Sequence, residues 1–356
     1  MLEMHSKQRR YLVTGGAGFI GSHLVEALLL DGHRVCAIDD LSTGRIENLA
    51  GVMDTPTFQF VRASISDGIV LDRLASEADV IIHLAAAVGV KRIVEHPVHT
   101  IETNVMGTEH VLKGALRYNR RVLIASTSEV YGKGSKVPFS EDDDVLLGST
   151  AKSRWSYAAS KMVDEFLSLA YAREFGLDVV VFRLFNTVGP RQSGQYGMVV
   201  PRFVRQALLG QPLTVYGSGF QSRCFCSVTD VIQAIIGLST WKEASSTVYN
   251  IGGTEEVSIR ELAERVKALT GSTSEITMIP YDEAYAPGFE DMQRRVPDTS
   301  RIKALLGWQP RQSLTDILEN VVDYEQNRGP TLAREEELVR ESELRQKNGR
   351  LTAATV

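Results

Sequence analysis

A strand, a glycine-rich turn and a helix open the chain, and this order constrains the fold more than any other feature. Tyr11–Thr14 is a short apolar run, and Gly15, Gly18 and Gly21 follow at intervals of three residues. Ser22–Leu30 then has the apolar spacing of a helix. Glycines at such a turn let the backbone approach a pyrophosphate, and the start of the helix supplies N–H groups and a partial positive charge. The segment predicts a dinucleotide-binding half.

The second predicted strand ends at an acidic residue that bears on the choice of dinucleotide. In "RVCAIDD" the strand ends at Asp39, 18 residues after Gly21. A carboxylate at this position binds the ribose 2′-hydroxyl of the adenosine half, and its charge repels a 2′-phosphate. We therefore expect NAD rather than NADP, with Arg45 as the one residue that would favour NADP.

Strand and helix patterns alternate through the middle of the chain. The segments "TFQFVRASISD", "DVIIHLAAAVGV" and "RVLIASTSEVYG" predict strands, and the segments between them predict helices. This alternation predicts a doubly wound parallel Rossmann sheet, whose ligands bind beyond the carboxyl ends of the strands. Thr127 and Glu129 fall at such an end, as does His83, for which we expect a structural role or contact with the cofactor.

A tyrosine and a lysine share one face of the next predicted helix. In "WSYAASK", Tyr157 and Lys161 are four residues apart, which places their side chains one turn apart. A nearby ammonium group and a cationic nicotinamide both favour phenolate, so they should lower the tyrosine pKa from about 10. We expect Tyr157 to act as a general acid and base near neutral pH.

Composition excludes several classes of partner. The 356-residue chain has a net charge of −5, so a nucleic-acid partner is not expected, and a phosphate-bearing ligand needs a local positive site. Three cysteines, at positions 36, 224 and 226, fit a reducing compartment and predict no metal site. The chain has neither a signal core nor a membrane-spanning run, so we expect a cytoplasmic protein without membrane contact.

The composition changes along the chain predict its organisation. We expect an NAD-binding Rossmann domain over residues 10–188, to which a later segment, about 225–252, returns. A smaller C-terminal α/β substrate lobe is expected mainly over 189–328. Residues 329–356 are charge-rich and apolar-poor, which predicts a disordered tail.

Several motifs together resemble the extended short-chain dehydrogenase/reductase family. They are "TGGAGFIGSH", "STSEVYG", "YAASK", "RLFNTVGPRQ" and "RCFCSVTDV". More narrowly, they are similar to its nucleotide-sugar epimerases, dehydratases and decarboxylases. The resemblance covers about residues 10–324 and implies a nucleotide-sugar substrate, NAD as cofactor and a homodimer formed by the helices that carry Asn104 and Tyr157.

The resemblance also implies roles for individual residues. Those implied to be catalytic are Thr127, Ser128, Glu129, Tyr157, Lys161 and Arg295. Those implied to bind the cofactor are Gly15, Gly18, Phe19, Ile20, Gly21, Asp39, Ala85, Tyr157 and Lys161. Those implied to bind the substrate are Asn104, Asn186, Arg191, Tyr216, Arg223 and Arg295. An arginine suits a diphosphate because its planar fork pairs with phosphate oxygens.

The fate of a 4-keto sugar separates the candidate reactions. A 4-epimerase of a UDP-hexose or UDP-uronic acid needs no further acid or base. A 4,6-dehydratase commonly has an aspartate where this chain has Ser128. The Ser128–Glu129 pair and Arg295 resemble those of UDP-glucuronate decarboxylases, in which these residues would handle the substrate carboxylate and the C5 proton. We expect a UDP-glucuronate decarboxylase, with the 4-epimerase, then the dehydratase, then a non-catalytic NAD-binding protein as alternatives.

Overall fold

A computed structural model describes residues 8–89, 96–194, 198–284, 290 and 292–328. The strands are β1 (Arg10–Thr14), β2 (Arg34–Asp39), β3 (Phe58–Arg62), β4 (Val80–His83), β5 (Arg121–Thr127), β6 (Val179–Leu184), β7 (Thr187–Val188), β8 (Leu213–Tyr216), β9 (Ser222–Cys224), β10 (Cys226–Ser227), β11 (Thr247–Ile251), β12 (Glu256–Ser258), β13 (Ile276–Ile279) and β14 (Arg294–Arg295). The predicted tail, 329–356, lies outside the described residues.

Helices alternate with these strands. They are α1 (Phe19–Leu30), α2 (Gly68–Glu77), α3 (Pro97–Arg117), α4 (Ser156–Phe175), α5 (Val199–Leu208), α6 (Val228–Thr240), α7 (Ile259–Leu269), α8 (Tyr281–Ala284), α9 (Ser300–Leu306) and α10 (314–328). The first helix begins at Phe19 rather than Ser22, because Gly18 already ends the turn with an extended backbone. Among the described residues, no helix combines the length and apolarity needed to cross a bilayer.

A seven-stranded sheet organises the molecule. Its strand order is β11-β6-β5-β4-β1-β2-β3, and its neighbouring strands are parallel. The chain builds outward from β1 in one direction through β2 and β3, and in the other through β4, β5 and β6. The strand order therefore reverses between β1 and β4, where a crevice opens at the carboxyl ends. The predicted doubly wound α/β fold is confirmed.

Apolar helix faces cover both sides of this sheet. On one side, α1 and α6 bury residues such as Leu24 and Ile235 in a cluster that also contains Val13 of β1. On the other side, α2 and α3 bury Leu71 and Leu112. Parallel strands covered on both faces are apolar along their whole length, which is what the sequence runs showed.

Shorter strands carry the side chains that face the crevice from the C-terminal half. β9 pairs with β12 and with β14, and the parallel β9–β14 register places Arg295 beside Arg223. A separate apolar cluster, which includes Phe203, Leu262 and Leu318, packs these elements against α5, α7 and α10. The chain re-enters the central sheet at β11. The boundaries predicted at residues 188 and 328 stay predictions.

A buried ion pair ties α4 to the sheet behind the crevice. Arg183 of β6 donates to Glu165 of α4 through Nε at 2.9 Å and Nη2 at 2.7 Å. Ser126 of β5 also donates to Glu165. The side chains of the arginine and the glutamate are each only 7% exposed. The pair therefore fixes α4 against the two strands whose ends enter the site.

Removing one partner of this ion pair should destabilise the protein strongly. Arg183→Leu leaves the Glu165 carboxylate buried without its cation, so we expect the free energy of unfolding in urea to fall by about 3–5 kcal/mol. Arg260→Leu is the matched control, because Arg260 and Glu264 form an exposed pair whose loss should cost at most about 1 kcal/mol. Equal losses in the two variants would contradict this account.

Candidate active site

A cavity of about 460 Å³ lies at the carboxyl ends of the central strands. All the residues predicted to bind the cofactor line it: Gly15, Gly18, Phe19, Ile20, Gly21, Asp39, Ala85, Tyr157 and Lys161. The other residues predicted to be catalytic line it too: Thr127, Ser128, Glu129 and Arg295. Their roles stay predictions, but the fold brings them to one cavity.

The glycine turn has the shape that a dinucleotide requires. Gly15 has a φ of +69°, and a Cβ there would lie 2.8 Å from the backbone nitrogen of Ala85. A Cβ on Gly21 would lie 2.1 Å from the carbonyl oxygen of Gly15. Helix α1 begins after Gly18 without a side-chain cap, so backbone N–H groups of its first turn are left for a phosphate. These residues fit a pyrophosphate.

Asp39 lies where an adenosine ribose would be recognised. Its two carboxylate oxygens accept hydrogen bonds from the N–H groups of Ala17, at 3.0 Å, and Leu41, at 2.8 Å. Burial raises the pKa of Asp39, and these hydrogen bonds oppose that effect. Each carboxylate oxygen can accept a further hydrogen bond. The side chain is therefore fixed in place and still able to bind hydroxyl groups of a ribose.

The end of β5 brings Thr127 and Tyr157 together. The Thr127 hydroxyl hydrogen bonds with the Tyr157 phenol, and it also accepts the N–H of Glu129 at 3.2 Å. The pKa of Tyr157 is raised, first by burial and then by the negative charge of Glu129. Lys161 pairs through Nζ with Asp164 at 2.7 Å, and this carboxylate neutralises its charge.

The predicted lowering of the Tyr157 pKa by Lys161 is therefore wrong for the protein's own residues. The sequence argument considered the lysine alone and had no means of placing Glu129 and Asp164 around the phenol. A positive charge brought by the cofactor is the remaining influence that would favour phenolate.

Glu129 lies between two arginines from distant parts of the chain. Its Oε2 is 2.5 Å from Nη1 of Arg154, and its Oε1 is 2.5 Å from Nη2 of Arg295. All three side chains are at least 88% buried. Burial disfavours the carboxylate, but the charges of Arg295 and Arg154 outweigh it and lower the pKa of Glu129 to about 2. Near neutral pH Glu129 is an anion and cannot itself deliver a proton.

The opposite wall carries the residues predicted to bind the rest of a nucleotide sugar. Asn186, Tyr216 and Arg223 line the cavity. Asn186 donates to the carbonyl oxygen of Cys224 at 2.9 Å, and Arg223 donates to the carbonyl oxygen of Ser222 at 2.8 Å. Both side chains are therefore anchored to the β9 region while they face the cavity.

Two residues predicted to bind the substrate lie elsewhere. Asn104 is 1% exposed and absent from the cavity wall; it accepts the N–H of Ala87 at 2.8 Å and donates to Ser160 at 3.0 Å. It links the loop after β4 to α4. Arg191 pairs with Glu26 of α1 at 2.7 Å and is likewise absent from the wall. Both residues lie outside the cavity wall in this structure, and their predicted roles in substrate binding stay predictions.

Sequence reasoning missed two arginines on the cavity wall. Arg154 precedes Tyr157 by three residues, and a charged residue beside a tryptophan one turn before the tyrosine was the available signal. The guanidinium of Arg202 lies 3.9 Å from the ring centre of Tyr216. Arg202 lies in the first turn of α5, and the sequence around it gave no sign that it would face the cavity.

His83 has the structural role expected for it. Its two ring nitrogens contact the hydroxyl groups of Thr14, at 2.8 Å, and Thr108, at 3.2 Å. Burial lowers its pKa to about 3, so the ring stays neutral. It links β1, β4 and α3 directly beneath the dinucleotide turn.

Comparison with known proteins identifies the family. The model of the GDP-mannose 4,6-dehydratase family matches residues 12–321. The chain belongs to this family. It is 43% identical, over 89% of its length and 98% of the relative's, to UDP-N-acetyl-α-D-glucosaminuronate decarboxylase from Bacillus cytotoxicus. It is 38% identical to UDP-glucuronic acid decarboxylase 1 from Danio rerio, over 89% of this chain and 72% of that one.

Solved structures agree with this assignment. UDP-glucuronic acid 4-epimerase from Bacillus cereus, in complex with UDP-glucuronic acid and NAD, superposes with a TM-score of 0.81 at 31% identity, over 89% of this chain and 99% of that one. The predicted extended short-chain dehydrogenase/reductase is confirmed, and with it an NAD-dependent enzyme of the nucleotide-sugar type.

The low pKa of Glu129 predicts how stability depends on pH. Because the pKa is about 2 in the folded protein against an ordinary value of 4.5, its ionisation stabilises the fold fully above pH 4.5. That contribution is lost as pH falls towards 2. We expect the free energy of unfolding to fall more steeply between these pH values in the wild type than in Glu129→Gln. Parallel curves would refute this, and Glu264→Gln, on the exposed surface, is the control.

Proposed function

We propose that this protein is a UDP-uronate decarboxylase that oxidises its substrate transiently at C4 and returns a UDP-pentose. One observation carries the proposal: the buried Arg154–Glu129–Arg295 cluster beside Tyr157 and Thr127. Both arginines line the cavity, and a guanidinium group is the side chain best suited to pair with a carboxylate. A uronic acid brings such a carboxylate to this wall, whereas a neutral hexose does not.

The first step concerns the C4 hydroxyl. Tyr157 takes the hydroxyl proton. The Thr127 hydroxyl, which is hydrogen-bonded to the Tyr157 phenol, also binds the C4 oxygen and so orients it towards the phenol. When bound, NAD⁺ supplies the hydride acceptor and a positive charge next to the phenol. The glycine turn and Asp39 would hold its pyrophosphate and ribose, and Lys161 its nicotinamide ribose.

The second step is the loss of CO₂. After oxidation, the carboxylate on C5 is β to the C4 ketone, so the C5–C6 bond can break and its electron pair can pass into the carbonyl to give an enolate. The Tyr157 phenol, which holds the proton taken from the C4 hydroxyl, stabilises the enolate oxygen by a hydrogen bond. C5 takes one proton from solvent in place of the carboxyl group, which re-forms the C4 ketone. The hydride removed in the first step then returns to C4, and Tyr157 gives its proton back to the C4 oxygen. Arg154 and Arg295 orient the carboxylate, and Glu129 keeps the two arginines in place as their counter-ion.

Two uronic acids and one competing reaction need to be distinguished. UDP-glucuronate and its 2-acetamido analogue are the substrates named for the two relatives above. Either would bring the same carboxylate to Arg154 and Arg295. A UDP-uronate 4-epimerase would need the same charge complementarity, and a structural neighbour carries that name, so this is the second candidate.

Product mass separates these reactions. Protein incubated with NAD⁺ and UDP-glucuronate labelled with ¹³C at C6 should release labelled CO₂ and form a UDP-pentose. Tyr157→Phe should release none, because no group remains to accept the C4 hydroxyl proton. A UDP-uronate isomer of unchanged mass would instead establish the 4-epimerase. UDP-N-acetylglucosaminuronate tested in parallel identifies the substrate by the larger kcat/KM.

We also propose that the protein is a cytoplasmic homodimer formed through α3 and α4. These helices pack together and leave large apolar side chains exposed, including Ile101 and Met106 on α3 and Val163 and Phe166 on α4. Phe166 is 68% exposed. Neighbouring apolar side chains on two adjacent helices support a helical contact with a second copy.

A charge on this surface should separate the subunits. Phe166→Glu places a carboxylate at the proposed interface, so the mass measured by light scattering should fall from that of a dimer to that of a monomer. Ile69→Glu, on α2, is the control, because Ile69 is 87% exposed outside α3 and α4. A wild-type protein that is itself monomeric would refute the proposal.

A further inference from the structure

A second charged cluster lies beyond the site. The carboxylate of Glu290 is 2.8 Å from Nζ of Lys133, pairs with Nζ of Lys152, and accepts the indole N–H of Trp155 at 3.1 Å. Lys133 follows the turn after β5, and Lys152 and Trp155 precede α4. Glu290 therefore connects the two segments that carry Glu129 and Tyr157. The lysines lower its pKa to about 2, so it is ionised at neutral pH.

Trp155 connects Glu290 with Arg154. Its side chain is 3% exposed, and the guanidinium of Arg154 lies 5.2 Å from its ring centre. A Cβ at Gly148 would lie 2.1 Å from the indole nitrogen, so glycine at this position leaves room for the ring and its hydrogen bond. The indole is thus held at its nitrogen by Glu290 and presents its ring to Arg154.

The two arginines around Glu129 are held in different ways. Arg295 lies on β14, whose pairing with β9 fixes its backbone. Arg154 lies in a single 3₁₀ turn, Ser153–Trp155, outside any strand or long helix. Its guanidinium is positioned by the carboxylate of Glu129 and by the face of Trp155. A shift of the Trp155 indole would therefore displace Arg154 more than Arg295.

We propose that Glu290 is a positioning residue, which sets Arg154 for a substrate carboxylate by holding the Trp155 indole. The inference rests on the function proposed above and assigns to that site a residue that does not line the cavity. An arginine that faces the ring with fixed geometry loses less conformational freedom when it binds a carboxylate. Glu290 would therefore affect ligands that carry the sugar carboxylate, and leave the nucleotide part unaffected.

The test compares a ligand with the carboxylate and one without it. All variants are made in the Tyr157→Phe protein saturated with NAD⁺, which prevents turnover, and dissociation constants for UDP-glucuronate and UDP are measured by calorimetry. Glu290→Ala should weaken UDP-glucuronate binding about tenfold, which lies between the effects of an exposed and a desolvated cation–π contact, and leave UDP binding unchanged. Glu290→Gln keeps an oxygen for the indole N–H and should retain most of the affinity.

Asp72→Ala is the matched control. Asp72 likewise pairs with a cation, Arg117 at 2.7 Å, and accepts from an aromatic side chain, Tyr118 at 2.8 Å, but on α2 away from the cavity. It should change neither constant. Equal affinities for UDP-glucuronate in Glu290→Ala and Asp72→Ala would overturn the inference, as would an equal loss for both ligands. Failure of the proposed function has a separate sign, the absence of CO₂ release by wild-type protein.

Discussion

The ion pairs that Glu129 makes with Arg154 and Arg295 join three segments that are far apart in sequence. Each charge taken alone would be costly to bury, and a group of three is tolerated only when each ion faces its counter-ion closely. The carboxyl end of β5, the approach to α4 and β14 must therefore all reach their places for the site to form. The cluster therefore couples β5 to the C-terminal half of the chain.

The parallel sheet supplies the frame for this arrangement. Because its strands run in one direction, the glycine turn after β1, Ala85 after β4 and Thr127 at the end of β5 meet at one edge. The buried pair of Glu165 and Arg183 then fixes α4 behind them, and with it Tyr157 and Lys161. The positions of Tyr157 and Lys161 on the cavity wall thus depend on the buried ion pair between Glu165 and Arg183.

Sequence alone predicted the local parts of the site well. The glycine turn, Asp39, and the Tyr157–Lys161 spacing are short-range patterns, and the structure places all of these residues on the cavity wall. What could not be predicted depends on long-range contacts. Arg154 is brought to the site by contacts that include its ion pair with Glu129, and Asn104 is held outside the wall by its hydrogen bonds with Ala87 and Ser160. The Tyr157 pKa likewise depends on charges outside its own helix.

The pairing of β9 with β14 fixes the distance between the backbones of two arginines that face the cavity. Arg223 and Arg295 are direct neighbours in this parallel register, so their backbones are about 4.8 Å apart and their side chains leave the same face. A ligand that binds both arginines must present two anionic groups at a separation that this small sheet sets. Because both side chains start from this fixed separation, the small sheet limits the range over which the two guanidinium groups could bind one ligand. The backbone hydrogen bonds between β9 and β14 would thus contribute to the choice of ligand, although neither strand need contact it through its backbone.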